Sequence, residues 1–108
     1  MDDEQPLYGI AVASRLTEMH PQTLRKYERA GLLTPARQQG NQRLYSNADV
    51  RRLRRIRYLV EERGLNVAGL EMTLAMVDRL DAVEDTATRA EMRAAIDDAI
   101  GLSQRDAG

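Results

Sequence analysis

The 108-residue sequence contains no cysteine and a single histidine, His20. The absence of thiols excludes disulfides, thiolate metal sites, cysteine nucleophiles and thiol redox sensors. One histidine does not assemble a metal site without several carboxylates around it, and the sequence shows no such set. Paired carboxylates, a nucleophile beside a base and a glycine-rich phosphate loop are also missing. We therefore expect neither a metal, nor a cofactor, nor an enzyme.

Long apolar runs are absent as well. No stretch of the sequence approaches the roughly 20 apolar residues that a membrane-spanning helix needs. The first six residues, MDDEQP, are acidic and polar, which is the opposite of a secretory signal. A length of 108 residues suits one compact unit with a modest core. These features predict a cytoplasmic protein without a membrane partner.

Charges are segregated along the chain. Between Gln5 and Val60, eleven basic residues stand against three acidic ones, which gives a net charge of +8. From Gly64 to Gly108, four basic residues stand against nine acidic ones, which gives a net charge of −5. Such a distribution gives the N-terminal half a positive field that attracts a polyanion. The charges of an ordinary solvated surface can also be segregated in this way.

The segment before Gly31 has the pattern of two short helices joined by a tight turn. Apolar residues recur at helical spacing from Ile10 to Leu16 and predict the first helix. Pro21 is favoured at the first position of a new helix, which places His20 at or next to the N-cap. The glycine at position 31 is typical of the residue just past a helix end.

A small β-hairpin and a third helix are predicted next. Two extended segments, 32–35 and 43–45, bracket the polar stretch Gln38–Gln42. The sequence from Ser46 to Asp49 has the form of a capping box, which begins the third helix. Leu53, Ile56 and Val60 are expected on one face of it, and Arg51, Arg54, Arg55 and Tyr58 on the opposite face. The arginine run is also typical of a solvated helix face paired with glutamates.

Two further helices are predicted in the acidic half. Gly64 ends the third helix and Asn66 caps a fourth, along which apolar residues repeat at three- and four-residue spacing. A polar break at Asp81–Thr88 precedes an amphipathic C-terminal stretch. Methionines at helical spacing are expected in the core or at an interface; they are Met72, Met76 and Met92.

The predicted fold class is mostly α: a winged helix-turn-helix with a small two-stranded wing hairpin and a C-terminal dimerisation helix. We expect a disordered N-terminal arm at 1–7, a DNA-binding domain at 8–80, a dimerisation helix at 81–103 and a frayed tail at 104–108. The apolar stripe of the last helix is too narrow to bury alone, so this helix is expected to pack on a second copy or to fold back on the fourth. The expected dimer residues are Met92, Ala95, Ile96, Ala99 and Ile100.

The second helix has the composition of a recognition helix, which a helix-turn-helix places in the major groove. On its polar side, glutamine can pair with adenine, lysine with guanine, and a threonine methyl can touch thymine. Other arginines suit phosphates, and tyrosine hydroxyls can donate to the same backbone. For Tyr27, a half-buried position under the turn is the alternative. The predicted DNA-binding residues are Gln22, Thr23, Arg25, Lys26, Tyr27, Arg29, Arg37, Asn41, Arg43, Tyr45 and Arg51.

Two ordered motifs carry a family resemblance. The run HPQTLRKYERAGLLTP, from His20 to Pro35, and the run QRLYS, from Gln42 to Ser46, together resemble the signature of the MerR family of transcription regulators. Within that family, His20–Arg25 and Gly64–Leu70 are most similar to the HspR branch of heat-shock repressors. The resemblance extends from Tyr8 to Leu80.

The resemblance implies a homodimer that represses heat-shock or stress genes from an inverted-repeat operator in double-stranded DNA. Such a protein is expected to associate with the bacterial nucleoid. It also implies that Gln38–Gln42 forms the first wing, that the turn near Gly64–Val67 forms the second, and that the chaperone DnaK acts as co-repressor. Two alternatives stay open: a protein-interaction module without DNA binding, and a monomeric excisionase-like architectural protein. A salt titration of DNA binding and light scattering distinguish the three.

Overall fold

The computed structural model describes residues 3–38, 40, 42–83 and 86–100. The chain divides into two compact units, Met1–Glu62 and Arg63–Gly108. The first unit contains α1 (Ile10–Thr17), α2 (Pro21–Arg29), β1 (Ala36–Arg37), β2 (Arg43–Leu44) and α3 (Asn47–Glu61), and the second contains α4 (Val67–Asp81) and α5 (Thr86–Ile100). The mostly helical fold with a two-stranded antiparallel hairpin is therefore confirmed.

The turn between α1 and α2 is fixed by local hydrogen bonds. Glu18 follows α1 in the left-handed conformation, with φ of 56°, and reverses the chain. The backbone N–H of Gln22 donates to Nδ1 of His20 at 3.0 Å, and Pro21 occupies the first helical position. This satisfies one of the free amides at the start of α2 and confirms His20 as the N-cap.

The hairpin begins later than its sequence pattern predicts. Leu32 and Leu33 are buried just after Gly31, so they belong to the core rather than to a strand. Pro35 has no N–H to donate, and pairing starts after it, with Ala36 opposite Leu44 and Arg37 opposite Arg43. The prediction of a strand at 32–35 is wrong for this reason.

Residues 3–7 of the N-terminal segment, which is predicted to be a disordered arm, make backbone hydrogen bonds within the first unit. The backbone N–H of Ala48 donates to the carbonyl of Asp3 at 2.9 Å, and that of Leu7 donates to the carbonyl of Tyr45 at 3.0 Å. Residues 3–7 are therefore tied to the hairpin and to the start of α3, because these backbone bonds hold both ends of the segment.

The helix α3 begins with the predicted capping box and supplies the centre of the first core. Ser46 accepts from the amide of Asp49, whose side chain accepts from the amide of Ser46. The buried residues of α3 repeat every three residues and are Val50, Leu53, Ile56 and Leu59. Val60, predicted on this face, is only half-buried because Leu59 takes the inward position.

The second unit consists of two helices in contact. Asn66 caps α4 by accepting from the amide of Gly69 at 2.9 Å, as predicted. Leu70, Leu74, Val77 and Leu80 form its buried apolar stripe. The helix α5 begins at Thr86, inside the predicted polar break, and Arg93 on it pairs with Asp81 at the end of α4. Among the described residues, no helix is long and apolar enough to cross a membrane.

Candidate nucleic-acid interface

The outer face of α2 carries the residues that were predicted to read bases. Gln22, Lys26 and Arg29 are exposed, whereas Leu24 is buried, as a periodicity of 100° per residue predicts. Thr23 and Arg25 are half-buried at the edge of this face. The helix therefore presents two cations and an amide to solvent on one side, while its other side is anchored in the core.

The hairpin is joined to α2 by a shared carboxylate. Glu28 accepts from Nη2 of Arg37 at 2.5 Å through one oxygen and from Nε of Arg43 through the other. The Glu28 side chain is 15% exposed, so its carboxylate is largely shielded from water. We call these three side chains the Glu28 clamp. It places two of the predicted DNA-binding arginines next to the recognition helix.

The two tyrosines assigned to DNA phosphates lie in the core. Tyr45 is fully buried, so its predicted phosphate contact is wrong, because a hydroxyl that is enclosed by protein cannot reach DNA. Tyr27 is 6% exposed, which is deeper than the half-buried position of the alternative interpretation. Burial raises the pKa of Tyr45, and the negative charge of Glu28 raises it further. Burial also raises the pKa of Tyr27, with a smaller contribution from Glu61.

The arginines of α3 bind protein groups of the same unit. Arg54 donates twice to the carbonyl of Leu16, at 2.9 and 3.1 Å, near the end of α1. Arg57 pairs with Glu61 at 3.0 Å and with Glu18 at 3.1 Å. The sequence indicates a basic face here, and the structure shows that much of this charge joins α3 to α1.

Two other arginines of α3 also have partners. Arg52 donates to the carbonyl of Leu32 at 2.5 Å and so ties α3 to the segment after α2. Arg51, the one residue of this helix in the predicted DNA-binding set, pairs with Asp3 at 3.1 Å, and both side chains are more than half exposed. Asn41, also in that set, lies outside the described residues.

Sequence reasoning missed the role of Glu28. It is the single acidic residue in α2, whose other charged residues are Arg25, Lys26 and Arg29. An acid in a recognition helix opposes binding to a polyanion, and this contradiction was the available signal. The arginines that offset it lie 9 and 15 residues further along the chain, so no helical periodicity could identify them.

The predicted dimer residues lie on α5 in the second unit. Met92 is 45% exposed, Ala95 and Ala99 are exposed, and Ile96 is half-buried. The side chain of Ile100 lies outside the description, as does the predicted tail at 104–108. On α4, Met72 and Met76 are exposed rather than in the core, and the expected interface stays a prediction.

The comparison with known proteins agrees with this arrangement. Residues 8–77 match the family described as MerR HTH family regulatory protein. The chain is 37% identical over 108 residues to HspR of Streptomyces coelicolor, described as a heat shock protein. The alignment covers 99% of this chain and 70% of HspR. It is 39% identical over 71 residues to the HTH-type transcriptional regulator GlnR of Bacillus cereus, of which it covers 54%.

A solved structure shares the fold. The transcription regulator PbrR691 of Ralstonia metallidurans, solved in complex with lead(II), superposes with a TM-score of 0.63 at 27% identity, over 92% of this chain and 76% of PbrR691. In the described part of the present chain, no three histidine or carboxylate side chains come together as a metal-binding group. The chain belongs to the MerR HTH family of regulatory proteins.

Proposed function

We propose that this regulator is a sequence-specific DNA-binding repressor of heat-shock or stress genes, and that it binds an inverted-repeat operator as a homodimer. The exposed face of α2 carries this proposal, because Gln22, Lys26 and Arg29 project from a helix that is capped at its start and buried on its other side. A helix-turn-helix of this kind inserts its second helix into the major groove.

The residues divide by the part of DNA that they contact. Gln22 and Lys26 read base edges, since glutamine suits adenine and lysine suits guanine, and Thr23 offers a methyl group to thymine. Arg25 and Arg51 hold phosphates and set the register without reading sequence, whereas Arg29 lies on the base-reading side of α2. In this scheme the DNA-binding domain spans 8–80, and the helix within 81–103 joins two copies.

The exposed stripe on α5 supports a dimer. Met92, Ala95 and Ala99 leave apolar surface uncovered on one side of the helix. In a two-fold dimer this stripe meets its own copy, and the two recognition helices enter successive major grooves about one helical turn apart.

The proposals of repression and of a chaperone partner are based on similarity to HspR. The relative HspR is described as a heat shock protein and aligns with nearly the whole of this chain. We infer from this likeness that the target genes belong to the stress response and that DnaK acts as co-repressor. Adding purified DnaK to a gel shift should strengthen operator binding, and an unchanged shift would contradict this part of the proposal.

A genomic pulldown with the purified chain, followed by gel shifts on the enriched sequences, tests DNA binding. One inverted repeat should be enriched, and affinity should fall steeply as salt rises, because phosphate contacts release counterions. Gln22→Ala and Lys26→Ala should relax the preference at particular base pairs. Arg79→Ala is the control, since it removes a cation from α4, which is outside the proposed recognition helix. Absence of salt-sensitive binding to any DNA would contradict the proposal and favour a protein-interaction module.

Light scattering tests the dimer. Ala95→Asp places a charge in the apolar stripe and should convert the dimer to a monomer, whereas Ala94→Asp makes the same change about 100° away around α5, outside the stripe, and should not. A monomeric wild-type chain that still bound DNA would favour the architectural alternative.

A further inference from the structure

We propose that Glu28 is a positioning residue for DNA recognition, which holds the hairpin at a fixed distance and angle from α2 through Arg37 and Arg43. The inference rests on the proposed DNA-binding function and adds a role that the basic residues alone do not supply. In this view, the acid in the recognition helix is retained for geometry although its charge opposes DNA.

The hairpin needs an external tie. Its strands are two residues long each, and a hairpin with so few pairs is not stable by itself. Arg37 and Arg43 are direct partners in the antiparallel register, and like charges facing each other across strands are destabilising. The Glu28 carboxylate lies between them and offers one oxygen to each guanidinium. It therefore offsets the repulsion and attaches both strands to α2.

The burial of the clamp agrees with a positioning role. The side chains of Glu28 and Arg43 are 15% and 24% exposed, whereas Arg37 is 37% exposed. Hydrogen bonds between charged groups are stronger where water is largely excluded. Tyr45 directly follows Arg43 and Leu44 of β2 and is fully buried, so the strand that carries Arg43 is anchored in the core. The clamp thus rests on the core and transmits a fixed position to the hairpin.

The replacement Glu28→Gln tests this role because the two effects of the change have opposite signs. Loss of a negative charge near DNA should by itself strengthen binding to every sequence. Loss of the clamp should weaken binding to the operator, where α2 and the hairpin must contact DNA together. We expect operator affinity to fall about tenfold, the equivalent of one charge-assisted hydrogen bond, while affinity for unrelated DNA stays constant or rises.

Glu18→Gln is the matched control. Glu18 lies in the same unit and also accepts from an arginine, Arg57, but it is 74% exposed and its pair joins the end of α1 to α3. The ratio of operator to unrelated-DNA affinity should not fall in this variant. Operator affinity that is equal or higher in Glu28→Gln would overturn the inference while leaving the proposed function intact. Absence of DNA binding by the wild-type chain would instead overturn the proposed function, and the inference with it.

A partly unfolded variant is recognisable in the same experiment. Unfolding lowers the apparent affinity for operator and for unrelated DNA by the same factor, so the ratio is unaffected. A double-mutant cycle with Arg37→Gln provides the second measurement. Arg37→Gln should reduce the affinity ratio in the wild-type chain and have a smaller effect in the Glu28→Gln background. If the effects of Arg37→Gln and Glu28→Gln on the affinity ratio were additive, the proposed role of the Glu28 clamp would be overturned.

Discussion

Tyr8 and Tyr45 exchange backbone hydrogen bonds: the N–H of Tyr8 donates to the carbonyl of Tyr45 at 2.9 Å, and the N–H of Tyr45 donates to that of Tyr8 at 2.7 Å. Their hydroxyl groups differ. That of Tyr8 donates to Oδ1 of Asn47 at 2.8 Å. That of Tyr45 is buried and has no hydrogen-bond partner among the described residues.

This difference predicts opposite effects for the same substitution. Tyr45→Phe removes a buried hydroxyl that has lost water without gaining a partner, and should raise the free energy of unfolding by about 1 kcal/mol. Tyr8→Phe removes a hydroxyl that is bonded and should lower it by about 1 kcal/mol. Urea denaturation of the two variants beside the wild type measures both. A destabilised Tyr45→Phe would show that the hydroxyl has a partner in solution.

The buried tyrosines also predict a loss of stability at alkaline pH. The folded state raises the pKa of Tyr45, through burial first and Glu28 second, and raises that of Tyr27, through burial first and Glu61 second. An acid with a raised pKa favours folding below its unfolded pKa, about 10 for tyrosine, and this contribution disappears as the pH rises through the folded value.

Denaturation midpoints between pH 8 and pH 11 test this dependence. The free energy of unfolding should decrease as the pH rises above about 10. Tyr45→Phe should show a shallower decrease, because one of the two ionising groups is gone. A wild-type curve that is flat across this interval would contradict the raised pKa values of the two tyrosines.

Elements with local signals could be predicted from the sequence. His20 before Pro21, and Ser46 with Asp49, identify helix starts because a cap binds amides two or three residues away. The hairpin could not be placed to the residue, because Leu32 and Leu33 have the apolar character of a strand but are used in the core.

In the candidate site too, features with local sequence signals could be predicted and long-range contacts could not. The exposed side of α2 follows from helical periodicity, and membership of the MerR HTH family confirms a regulator rather than an enzyme. The partners of the arginines could not be predicted, because Arg54 reaches a carbonyl 38 residues away and Arg43 a carboxylate 15 residues away. Such contacts depend on the packing of α1, α2 and α3, which a charge count does not contain.

The N-cap of α2 predicts a stability effect at His20. His20→Ala removes the acceptor for the Gln22 amide and should lower the free energy of unfolding by about 1 kcal/mol. His20→Ser is the control, because serine is a favoured N-cap and should restore most of the loss. Thermal unfolding followed by circular dichroism measures both variants. Equal losses in the two would mean that the imidazole ring, and not its capping nitrogen, stabilises the turn.

Arg51 and Arg54 lie on α3 three residues apart and are expected to have separable roles. Arg54→Ala should lower the free energy of unfolding by about 1 kcal/mol, because Arg54 donates two hydrogen bonds to the Leu16 carbonyl. Arg51→Ala should have little effect on stability, because the pair that Arg51 forms with Asp3 is exposed and such pairs contribute little.

In operator binding, Arg51→Ala should have the larger effect and Arg54→Ala the smaller one, which is the reverse of their effects on stability. If Arg51 leaves Asp3 to contact a phosphate, Arg51→Ala should reduce the slope of log affinity against log salt by about 1. Arg54→Ala should leave that slope unchanged in folded protein, since the Arg54 guanidinium is committed to Leu16. Gel shifts at several salt concentrations, run below the melting temperature of each variant, measure the slopes. A reduced slope for Arg54→Ala alone would exchange the two assignments and place the phosphate contact at Arg54.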